Sequence, residues 1–66
     1  MNIGRPLSAE AQQLAREQIA RHGLDRAAKM LRVSSYLLAK GAAGAAVAEL
    51  SADALEIRLQ REAQAA

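Results

Sequence analysis

The stretch GLDRAAKMLRVSSYLLAKGAAG, Gly23 to Gly44, decides the fold. Leu24, Ala27, Ala28 and Leu31 repeat at helical spacing, and the pattern then breaks at Arg32–Val33. Ser34 opens a second apolar segment in which Val33, Leu37 or Leu38, and Ala42 face inward. Two short helices with a tight turn between them are expected, over about 24–31 and 35–43. Ser34 is the expected N-cap of the second helix, and Gly44 its terminator.

Working outward, a helix is expected on each side. The first spans about 9–22, with Ser8 as N-cap and Glu10 in the first turn, where the helix dipole favours an anion. Leu7, Ala11, Leu14, Ala15 and Ile19 form its apolar side. Gly23 ends it as a left-handed cap. The last spans about 52–64, with Ser51 as N-cap and a hydrophobic staple between Leu50 and Leu55. Residues 45–49 read as a linker, and the GAAGAA segment as a close-packed connection. Residues 1–7 read as an N-terminal arm, loose over Met1 to Arg5, and 8–66 as one domain.

Little favours strands, because β-branched and aromatic residues are scarce while Ala, Leu, Arg, Glu and Gln abound. The expected class is all-α, a small bundle of about four helices. A chain of 66 residues buries only about 60% of its unfolded surface. It has no cysteine for a disulfide or a thiolate metal site, so a second copy is an attractive source of stability. MNIGRPLS lacks a basic-then-apolar signal pattern, and no run of about 18 apolar residues occurs. The expectation is a soluble, cytoplasmic chain that does not engage a membrane.

Net charge is only +2, but it is unevenly placed. Arg16, Arg21, Arg26, Lys29, Arg32 and Lys40 face only Glu17 and Asp25 over residues 16–40, a balance of +4. Over residues 49–62 the balance is −2. Basic charge gathered on the quoted stretch suits a phosphate-bearing partner. Arg21, Arg26, Lys29 and Arg32 are the candidate phosphate contacts; an ordinary solvated surface is the alternative.

Ala28, Leu31, Arg32, Val33 and Leu38 follow the pattern of a small residue, an apolar one three later, a turn residue, a Val or Ile, and an apolar anchor five after that. In this the stretch resembles the helix-turn-helix of Cro/C1-type phage and plasmid repressors. The resemblance covers about a third of the chain. That family usually has glycine at the turn position held by Arg32, so Arg32 is expected in a left-handed conformation at a cost of roughly 1 kcal/mol. Leu24 stands where the family often has a polar residue that braces the DNA contact.

The resemblance implies that the third helix is a recognition helix aiming Ser35, Tyr36, Ala39 and Lys40 at bases, with Ser34 near the backbone. Ser donates or accepts, Lys donates to guanine, and Tyr or Ala touches a thymine methyl. No Gln, Asn or Arg is present for bidentate reading, so shape readout is expected to add specificity. Tyr36, the only aromatic residue, is expected to be exposed by its phase relative to Leu37 and Leu38.

On the last helix Leu55 and Leu59 take one side, while Ala54 and Ile57 lie nearly opposite, with Arg61 following on their side. A surface helix of a monomer buries one face. Ala54, Ile57 and Arg61 are therefore the candidate interface of a homodimer, which would suit a palindromic DNA site. No nucleophile–base pair, carboxylate pair in a cleft or phosphate-binding glycine loop is visible. His22 reads as a helix-end packing or capping residue. No enzyme, cofactor, metal or small-molecule substrate is expected. The reading is thus a DNA-binding transcriptional regulator, with a helical protein-interaction module as the alternative.

Overall fold

A computed structural model describes residues 4–65, and its elements are α-helices: α1 (Ala9–His22), α2 (Leu24–Leu31), α3 (Ser35–Ala42) and α4 (Glu49–Ala65). The chain is all-α, as its composition implied; the described residues form no strand beyond an isolated antiparallel bridge between Arg5 and Val47.

Each boundary has a local cause. Ser8 Oγ accepts from the Ala11 N–H at 3.1 Å and starts α1. Gly23 ends α1 with φ 86° and ψ 156°. That is not the left-handed helical region expected of a cap. It is an extended, positive-φ conformation that essentially only glycine adopts, and it turns the chain directly into α2. Arg32 ends α2 in the left-handed region, φ 59° and ψ 42°. The Val33 N–H bonds the Ala28 carbonyl at 3.0 Å, and the Arg32 N–H bonds that of Lys29 at 3.2 Å. This is a Schellman motif with arginine where glycine is usual. Ser34 Oγ then accepts from the Leu37 N–H at 3.0 Å and starts α3, and Gly44 closes it with φ 83°.

The core lies where the four helices meet. Leu31, Leu38, Leu55 and Leu59 are its largest fully buried side chains, with Ala15, Ala27, Ala28 and Ala52 between them. Of Leu37 and Leu38, it is Leu38 that is sealed inside, while Leu37 is half-buried. Gly41 lets α3 come close. A Cβ there would stand 2.9 Å from Leu7 Cδ1 and 3.2 Å from Leu55 Cδ2, the close packing expected of this Gly/Ala-rich segment. On α1, Gln18 is more buried than Leu14 or Ile19, a position the apolar pattern did not mark. Its Oε1 has no hydrogen-bond partner among the described residues.

Two further expectations are corrected. The arm is not loose over its described part: Leu7 is buried, and Arg5 exchanges backbone hydrogen bonds with Val47 at 2.9 and 3.0 Å. The Arg5 guanidinium also pairs with Asp53 and, at 2.8 Å, with Glu56 on α4. Met1 to Ile3 lie outside the described residues. Second, α4 begins at Glu49, so Ser51 lies inside the helix and caps nothing. Leu50 is 84% exposed and forms no staple with the buried Leu55. The cause is non-local. Val47, held by Arg5 and buried in the core, fixes where the chain enters α4, and this overrides a capping preference worth about 1 kcal/mol.

Candidate nucleic-acid interface

Residues 32–34 form the whole connection between α2 and α3. Two arginines from the flanking helices fasten the ends of this pair. Arg58 of α4 donates to the carbonyls of Arg32 at 2.9 Å and Leu31 at 3.4 Å. Arg16 of α1 donates to the Ala42 carbonyl, at the end of α3, at 2.9 Å. Each places a cation on the negative end of a helix dipole and satisfies carbonyls that a helix end leaves free.

With Leu38 buried, α3 turns its other side outward. Tyr36 lies about 200° round the helix from Leu38 and is 72% exposed. Lys40, one turn on, holds its Nζ 5.3 Å from the centre of the Tyr36 ring, a cation–π contact that aligns both side chains on one face. Ser35 and Ala39 are half-buried on the adjoining face. Ser34 is exposed, with its oxygen engaged as the cap. The four expected base-facing residues thus share one side of α3.

Arg21, Arg26, Lys29 and Arg32 are all exposed. Both ion pairs among the described residues belong to Arg5, so these four cations hold none. They come from three elements: Arg21 from the end of α1, Arg26 and Lys29 from one face of α2, and Arg32 from the turn.

Asp25 escaped the sequence reading as a site residue. It accepts from the Ser35 hydroxyl at 3.0 Å, bringing a carboxylate to the N-terminal end of α3 within an otherwise basic region. Its only sequence signal, an acid in the first turn of a helix, points to the helix dipole rather than to a neighbour ten residues on. Arg58 gave no signal, because its partners lie 26 and 27 residues away.

On α4, Ile57 is 54% exposed, Ala54 is half-buried and Arg61 is exposed. Leu50 extends this stripe by one turn, at i−4 from Ala54 and i−7 from Ile57. Arg61 also borders a shallow groove with Met30, Leu31, Arg32, Arg58 and Glu62. No group of three or more metal-ligating side chains occurs among the described residues. None of the helices described is long and apolar enough to cross a membrane. No protein-family model matches the chain, and neither a curated protein nor a solved structure matches it significantly.

Proposed function

We propose that the chain is a cytoplasmic, sequence-specific DNA-binding transcriptional regulator, a repressor that binds a palindromic operator as a homodimer. The observation that carries this reading is the exposed Tyr36, with the half-buried Lys40 held over its ring, on the outer side of α3, a short helix set by the left-handed turn at Arg32. It agrees with the resemblance to Cro/C1-type repressors. In this reading α2, the turn and α3 form a helix-turn-helix, and α3 enters the major groove. Lys40 donates to guanine, and Tyr36 packs against a thymine methyl. Arg21, Arg26, Lys29 and Arg32 displace condensed counterions from phosphates, which supplies affinity without sequence preference. Ala54, Ile57 and Arg61, joined by Leu50, cover one another across a two-fold axis, so that two copies of α3 read two half-sites.

A second reading, a helical protein-interaction module, draws on the exposed Leu50 and Ile57 and on the lack of bidentate base readers in α3. A gel shift against genomic fragments, with and without added salt, separates the two. Retarded bands that fade with salt support DNA binding; no retardation at low salt supports the interaction module.

A further inference from the structure

The hydrogen bond between Ser35 and Asp25 fixes a direction of proton donation. A carboxylate only accepts, and the serine hydroxyl has a single proton. At 3.0 Å that proton lies on the line from Ser35 Oγ to Asp25 Oδ1. Towards any third group Ser35 then offers only lone pairs, as does the second carboxylate oxygen of Asp25. No other side-chain hydrogen bond of either residue is present among the described residues. Ser34, next to it, has the opposite polarity: its oxygen accepts from the Leu37 N–H, which leaves its proton to donate.

We infer that Asp25 and Ser35 act together as an acceptor-only reader at the N-terminal end of α3, selecting a base whose exocyclic amino group faces the major groove. The inference rests on the DNA-binding reading above. A carboxylate in a protein–DNA interface is repelled by phosphates on every side, so it is tolerated only opposite a donor. The major groove offers two such donors, cytosine N4 and adenine N6. Guanine shows only acceptors there, and thymine an acceptor and a methyl group. Cytosine fits better, because adenine sets its N7 acceptor beside the amino group, where it faces the same lone pairs. The pair supplies a selectivity that the rest of α3 lacks and places it on α2 as much as on α3. Asp25 is exposed and Ser35 half-buried, so both reach the surface without a change in the fold.

The test is selection of binding sites from a randomised duplex library by the full chain, by Asp25→Asn and by Ser35→Ala, with a thermal melt of each to verify folding. For the wild type, one position in each half-site should favour cytosine over guanine or thymine by roughly 5- to 150-fold, the range of a single mismatch. Adenine at that position would retain the amino-group chemistry and identify the other source. Both variants should lose the preference at that position and keep the others. Removing the carboxylate in Asp25→Asn should also tighten binding to unrelated DNA. Folded variants whose selected sequences match the wild type would overturn the inference and leave DNA binding intact. Failure of the wild type to retain any duplex would overturn both.

Discussion

The Arg58 guanidinium, on α4, donates at 2.9 Å to the carbonyl of Arg32, the one non-glycine residue with positive φ among those described. Arg32 bears the strain of the turn, and Arg58 holds the turn closed from another helix. Arg32→Gly should raise stability by at most roughly 1 kcal/mol, because glycine adopts this conformation without a Cβ clash. Arg58→Ala should lower it by about 1 kcal/mol, through loss of a charge-assisted but exposed hydrogen bond. Chemical denaturation of the two variants checks this; a Gly variant less stable than the wild type would contradict the strain.

On α3, Tyr36→Ala and Lys40→Ala should each weaken specific DNA binding by about 1–3 kcal/mol. Neither should move the melting temperature much, because Tyr36 is exposed and the helix is anchored by Leu38. Unchanged affinity with a large drop in melting temperature would place Tyr36 in the packing and remove it from the interface.

The arm clamp makes stability depend on pH. Glu56 accepts from Arg5 Nη1 at 3.1 Å and Nη2 at 2.8 Å, and from the Ser8 N–H at 2.9 Å. The Arg5 bonds first, and the Ser8 bond second, hold its carboxyl below the ordinary 4.5. A folded-state value lower than the unfolded one adds stability that is present above the ordinary value. That stability disappears as the pH falls through the lowered one. Glu56→Gln lacks this dependence. Its melting temperature should lie below the wild type's at neutral pH, and the gap should close on acidification below about 4.5. A gap that stays constant with pH would show that the ion pair contributes nothing.

Ile57→Glu should convert a dimer to a monomer, since two like charges would meet across the axis. The helices should survive, because Ala52, Leu55 and Leu59 pack on the opposite face. Binding to a palindromic site should fall much further than binding to a half-site. Sedimentation at several concentrations reads this out; a wild type that stays monomeric at high micromolar concentration would rule out a preformed dimer.

The bundle was legible because its signals are local. Ser8, Gly23, Arg32 and Ser34 mark boundaries within a turn of chain, and the spacing of Ala28, Leu31, Val33 and Leu38 marked the turn, while its left-handed residue was expected only from the resemblance to a family that has glycine there. Apart from the backbone conformation of Gly23, most of what was misread depends on partners far along the chain. The start of α4 and the fate of Ser51 follow from the pairing of Arg5 with Val47, and no property of residues 48–52 announces it. Gln18 shares the helical phase of the buried Ala11 and Ala15, at i+7 and i+3, and escaped notice because its amide is polar, so an apolar pattern on α1 passes over it. At the candidate interface, the outward side of α3 followed from helical phase, whereas the bond from Ser35 to Asp25 requires the angle between two helices.

In the proposed function, the outer side of α3 and its surrounding cations engage DNA. Fluorescence anisotropy of a labelled duplex carrying a palindrome from upstream of the chain's own gene, titrated with protein at several salt concentrations, tests it most directly. Binding should be saturable and exceed that to a scrambled duplex. Log affinity should fall linearly with log salt, with a slope of about −4 for each chain engaged, as four phosphate contacts by Arg21, Arg26, Lys29 and Arg32 require. No rise in anisotropy with either duplex at the lowest salt would contradict it.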